Sequence, residues 1–86
     1  MIRKRLQLIY EELGEVHDLF FNSWKELHMH LFEHGLYTEF QVTDQSGDQL
    51  LHYKKDAFGK YELKFSEKVP GSVLFEIVNR HASAHL

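Results

Sequence analysis

The feature that most constrains this chain is an apolar series along its first third: Ile2, Leu6, Ile9, Leu13, Val16, Phe20, Trp24, Leu27 and Leu31. Steps of three and four residues keep side chains on one face of an α-helix. The spacing predicts a long N-terminal helix ending near His34, just before Gly35. At 1.5 Å per residue such a helix would be roughly 50 Å long, against about 30 Å for a compact domain of this length. It must bend, break or extend into a partner. Gly14 is one weak point, and Ser23 followed by Glu26, a capping-box pair, is a second. The apolar phase runs through both, which favours one bent helix over a helical hairpin.

After Gly35 the period changes to two. Leu36, Thr38, Phe40 and Val42 alternate with Tyr37, Glu39, Gln41 and Thr43, as in a strand with one buried face. Asp44-Gln45-Ser46-Gly47-Asp48 is a turn signal, residues 49–55 return as a second strand, and Asp56-Ala57-Phe58-Gly59 turns the chain into a third, with Tyr61, Leu63 and Phe65 inward. Pro70 and Gly71 end the sheet. Ser72 is a good N-cap, and Leu74, Ile77, Val78 and His81 share a helical face, so residues 73–81 read as a short helix. The expected fold is a single α+β domain over residues 1–86, ordered α-β-β-β-α: a long helix on a three-stranded antiparallel meander with a short C-terminal helix.

With 43% hydrophobic and 14% aromatic residues in 86, the chain can bury one core. It lies close to the size at which a core needs outside support, and cysteine is absent, which excludes disulfides and thiolate chemistry. A formal charge of −3 argues against non-specific nucleic-acid binding. Lys54, Lys55, Lys60, Lys64 and Lys68, interleaved with Tyr53, Phe58 and Tyr61, are diluted by Asp56, Glu62 and Glu67; edge-strand protection explains them better than a nucleic-acid surface. No apolar run reaches the roughly 20 residues a membrane helix needs, and no export signal follows Arg3-Lys4-Arg5, so a cytoplasmic protein is expected.

Chemistry is sparse. The serines fall in caps, turns or the tail, and no glycine-rich phosphate loop is present, so neither an enzyme nor a cofactor is expected. Glu26, His30 and His34, four apart along one helix edge, could chelate a transition metal, although the HExxH order is absent. This is the alternative reading. The favoured one starts from a second stripe beside the first, containing Tyr10, His17, Phe21, His28 and Phe32. Left uncovered, it would be an exposed aromatic patch of the kind monomers seldom carry. The expectation is therefore a non-enzymatic interaction or regulatory module, acting as a homodimer through that stripe.

Overall fold

The chain reverses at Leu13-Gly14. Leu13 (φ 55°) and Gly14 (φ 80°) both occupy the left-handed region, as the two central positions of a type I′ turn require. Leu6–Glu12 (β1) and Glu15–Phe21 (β2) therefore form an antiparallel hairpin, with Glu12 opposite Glu15 and Leu6 opposite Phe21. The structure, a computed structural model, describes residues 5–83. Ile2, the first residue of the apolar series, lies outside them.

This hairpin replaces the expected long N-terminal helix. The physical reason is that apolar residues occupy both of its faces. Leu6, Leu8 and Tyr10 share one face with Leu19 and Phe21, while Ile9, Val16 and Phe20 share the other. Sampled together, the two sets mimic a three-and-four spacing. A helix would have turned Leu8 and Leu19 off its apolar stripe, whereas here Leu8 is fully buried and Leu19 packs against the core. The isoleucine, valine, tyrosine and phenylalanine content of both segments also suits strands.

The true helix begins where the capping box stands. In Trp24–His34 (α1) the Ser23 hydroxyl accepts the Glu26 N–H at 3.3 Å, and the Glu26 carboxylate accepts the Asn22 N–H at 3.0 Å. Gly35 ends the helix at φ 95°, donating its N–H to the Leu31 carbonyl at 2.9 Å. Three strands follow, Glu39–Thr43 (β3), Gln49–Lys55 (β4) and Tyr61–Phe65 (β5). Their two connections are built alike. Asp44 accepts the N–H groups of Ser46 and Asp48 on one carboxylate oxygen, and Asp56 accepts those of Phe58 and Lys60 in the same way. The last element, Gly71–Ser83 (α2), covers the segment expected to be helical. Its first turn is closed by the Pro70 carbonyl, which accepts from Val73 at 3.1 Å, so Ser72 lies inside the helix rather than capping it.

The expected three-stranded sheet is thus a five-stranded one among the described residues, in the order β2-β1-β3-β4-β5, with every pair antiparallel. β1 pairs with both β2 and β3. The registers align Leu8 with Val42, Val42 with Leu51, Tyr10 with Phe40, and Phe40 with Tyr53. All of these side chains point to one face, where Leu27 and Leu31 of α1 and Val73 and Ile77 of α2 complete the core. The opposite face carries Gln7, Ile9, Glu11, Val16, Asp18, Glu39, Gln41, His52, Lys54, Glu62 and Lys64, and among the described residues no helix covers it.

Leu13 is a poor occupant of its turn position. A left-handed backbone costs a non-glycine residue about 1–2 kcal/mol, and its 99% exposed side chain returns nothing in packing. Leu13→Asn should therefore stabilise the fold by about 1 kcal/mol, raising the melting temperature by roughly 4–8 °C. Thermal or urea unfolding of the two proteins side by side is the measurement; an unchanged or lowered midpoint would refute the strain.

Candidate interaction site

A band of aromatic and imidazole rings crosses the helix-covered face at the end where α1 stops. His17 and Tyr10 are cross-strand partners with ring centroids 5.4 Å apart, and Tyr10 stacks on Tyr37 at 4.0 Å. Tyr37 stacks on His34 at 4.2 Å, and its hydroxyl lies 2.6 Å from His30 Nε2. Through Phe40 the band continues to Tyr53, whose hydroxyl lies 2.6 Å from His81 Nε2, and His81 stacks on Tyr61 at 3.8 Å.

Three of these groups, Tyr37, Tyr53 and His30, are shifted toward their neutral forms. Burial pushes the Tyr37 phenol up to about 12, with Tyr10 and the Glu12 carboxylate adding to the effect. Burial also pushes Tyr53 up to about 12, helped by Tyr61. His30 is lowered by burial first and His34 second, against a smaller opposing pull from Glu33. A protonated phenol donating to a neutral imidazole is a structural hydrogen bond near neutral pH. Each of the two tyrosine hydroxyls lies 2.6 Å from its histidine Nε2.

The five residues expected to share one interface do not form one surface. Tyr10, His17 and Phe21 lie on the hairpin's helix-covered face, and Phe21 packs beside the His30 ring at 5.4 Å. His28 and Phe32 lie on the side of α1 that meets α2. His28 Nε2 is 3.2 Å from a Glu76 carboxylate oxygen, and the Arg80 guanidinium carbon sits 5.7 Å over the Phe32 ring. The stripe was drawn on a helix that the chain does not form over residues 6–21.

Nor do the three metal candidates converge. Glu26 is occupied at the helix start, His30 at Tyr37, and the His34 ring lies 3.2 Å from the Gly35 carbonyl through Nδ1. The two imidazoles are stacked neighbours, 5.6 Å apart. Among the described residues no three His, Asp or Glu side chains form a group able to hold a metal. No helix there is long and apolar enough to cross a membrane.

The hairpin creates a surface that the helical reading hid, the outer edge of β2. Among the described residues, each terminal strand of the sheet has a strand neighbour on one side only. β5 is five residues long, follows Lys60, and turns Glu62 and Lys64 to the open face, devices that discourage further strand pairing. β2 is seven residues long, carries no lysine or proline, and has apolar residues on both faces beside Glu15, His17 and Asp18. Leu19 and Phe21 are half-buried on the helix side; Val16 is 71% and Phe20 50% exposed on the other. A depression of about 710 Å³ opens beside Asp18, Leu19 and Phe20. The signal for this edge was legible as two alternating segments flanking Leu13-Gly14.

Comparisons of the chain with protein-family models, with curated proteins and with solved structures return no significant match.

The lowered His30 value carries a sign. Unfolded, the ring takes a proton near pH 6.5; folded, it does so only at lower pH. Its contribution to stability is therefore complete above about pH 6.5 and is lost as pH falls from there toward the folded value. For Tyr37 and Tyr53 the loss comes on the alkaline side, as pH rises from 10 toward the folded value of about 12. The urea midpoint should fall between pH 7.5 and 5.5 by less in His30→Gln than in the wild type. The His30 ring should titrate below 6.5 in an NMR series; titration at or above 6.5 would contradict the burial argument.

Proposed function

We propose that this chain is a small non-enzymatic protein–protein interaction module, of regulatory or accessory kind, that works in the cytoplasm as a homodimer joined through the outer edge of β2. The single observation that carries the reading is the asymmetry of the sheet's two ends. β5 is short and fringed with lysine, whereas β2 is longer, has no lysine and carries large apolar residues on both faces. Natural sheets guard exposed edges against unwanted partners, so a long edge left open fits one whose pairing is used.

The chemistry of the rest supports a binding role. The imidazoles and phenols that could move protons are turned toward each other, Tyr37 to His30 and Tyr53 to His81. His52 lies 3.0 Å from the Glu39 carboxylate, and His28 3.2 Å from that of Glu76. A chain of 86 residues without cysteine also gains from association, because a core this small is marginal alone.

Sedimentation equilibrium tests the assembly, and one substitution tests the edge. In the β1–β2 ladder the Glu12–Glu15 closing pair is hydrogen-bonded, so by alternation the Asp18 N–H points away from β1. Asp18→Pro removes an outward donor while leaving the hairpin's own bonds in place. The wild type should sediment as a dimer at micromolar concentration with a melting temperature that rises with concentration. Asp18→Pro should be monomeric, with no such dependence. A monomeric wild type whose melting is independent of dilution would overturn the reading.

A further inference from the structure

Tyr37 joins three elements at the end of the fold where α1 stops. Its buried ring stacks on Tyr10 of β1 at 4.0 Å and on His34 of α1 at 4.2 Å, with the Phe40 ring of β3 edge-on at 6.3 Å. Its hydroxyl lies 2.6 Å from His30 Nε2 and, among the described residues, bonds to nothing else. A neutral imidazole can take the tautomer in which Nε2 accepts from the phenol and Nδ1 keeps the ring proton. An imidazolium has no such choice. Both of its nitrogens donate, so the hydroxyl hydrogen has to turn away from Nε2 and is left without an acceptor in the closed structure.

The surrounding groups do little to relieve a charge on His30. On α1 a charged His34, stacked 5.6 Å away, repels the proton, the Glu26 carboxylate is engaged with the Asn22 N–H, and Glu33 pulls weakly the other way. From β2 the ring meets Phe21 at 5.4 Å, while His17 lies 3.5 Å from its own partner Glu15 farther along the strand. From β1 the Glu12 carboxylate lies beside His34, at 4.0 Å, and Tyr10 is reached only through Tyr37. Water is the remaining source of solvation. A depression of about 390 Å³ lined by Glu12, His34, Leu36, Tyr37 and Thr38 opens against this seam, so displacing Tyr37 lets solvent reach the imidazolium.

We infer that His30 and Tyr37 form a proton-operated latch: neutral His30 holds Leu36-Tyr37 against α1 and the hairpin, and a proton on His30 releases that segment while the two helices stay joined. The segment has a fixed point at either end. Gly35 donates its N–H to the Leu31 carbonyl at 2.9 Å, and the Thr38 carbonyl accepts the Lys55 N–H at 2.9 Å. The link between the helices tolerates the proton. His28 Nε2 can donate to the Glu76 carboxylate whether its ring is neutral or charged, and Arg80 keeps its bonds to Glu76 and to the Phe32 carbonyl. Opening bares the ring faces of Tyr10 and His34, so mild acid gives this end of the sheet a different surface.

An NMR titration of the full chain, carried downward in pH until the His30 ring has titrated, tests the latch. Nuclear Overhauser contacts from the Tyr37 ring to Tyr10 and His34 should disappear in step with His30, while those from Phe32 to Arg80 persist. Tyr37 contacts that outlast the titration of His30 would overturn the proposal. So would loss of both sets together, which is unfolding of the whole domain. His30→Gln supplies an amide oxygen for the Tyr37 hydroxyl and takes no proton, so it should keep the Tyr37 contacts over the same range. Their loss in this variant at the wild-type pH would assign the response to another group and overturn the latch as well.

Discussion

One face of a five-stranded sheet is kept dry by two short helices, and most of the structure follows from that limit. Five strands at about 4.8 Å spacing are roughly 19 Å wide, and two helices side by side, at 8–10 Å between axes, cover little more than the middle. Full burial is accordingly confined to the centre. Leu8, Phe40, Val42, Leu51 and Tyr53 on the inner strands, with Leu27, Leu31, Val73 and Ile77 above them, are all at most 1% exposed. Leu19 and Phe21 on β2 and Leu63 on β5 are only half-covered. Beyond the end of α1 Leu36 packs against the core, and the ring band of Tyr10, Tyr37, His30 and His34 closes the rest of the layer. Rings offer large apolar area and a polar rim that can face water, which suits the margin of a core.

The helices are set relative to each other by a polar cluster as well as by apolar contact. Glu76 receives the Arg80 Nε at 2.9 Å on one carboxylate oxygen, while the other lies 3.2 Å from His28 Nε2. Arg80 also donates through Nη2 to the Phe32 carbonyl, one of the acceptors left unpaired at the end of α1. One arginine thus closes the C-terminus of α1 from α2 and lies over the Phe32 ring. Such partly exposed charges contribute modestly to stability, but their directionality fixes which faces of the two helices meet.

The second half of the fold was legible because each element there had local punctuation: Asp44 and Asp56 turns with glycine at the fourth position, Pro70-Gly71 before α2, and a clean alternation over Phe40–Val42. The first half was not, because two periodicities coincide. Ile9, Val16 and Phe20 belong to one sheet face and Leu6, Leu19 and Phe21 to the other, and a selection from both sets satisfies helical spacing. Leu8 and Leu19 were the residues that disagreed, since a helix leaves them out and the core takes them in. Leu13 misled further, because the first central position of a type I′ turn is normally asparagine, aspartate or glycine. The start of α1 is marked by Ser23 and Glu26, and Gly14, the other break point in the apolar series, is the hairpin turn. The helix on which the candidate interface stripe rests is not formed over residues 6–21. Tyr10 and His17 are cross-strand partners, Phe21 lies opposite Leu6, and His28 and Phe32 lie on the side of α1 that meets α2.

Placing β1 between β2 and β3 also decides what an added strand would meet. β1 is committed on both sides, so growth at this end of the sheet has to begin at β2. There the helix-covered face continues to the edge through Leu19 and Phe21, with α1 above them and the His30 ring beside Phe21. At the other end Tyr61 is already stacked beneath His81, and the open face presents Glu62 and Lys64. A strand docking on β5 would gain backbone bonds at the cost of desolvating those charges, whereas one docking on β2 gains the same bonds and covers apolar surface on both sides. The difference between the two ends arises from strand length and side chains, since an antiparallel edge offers the same backbone pattern at either end.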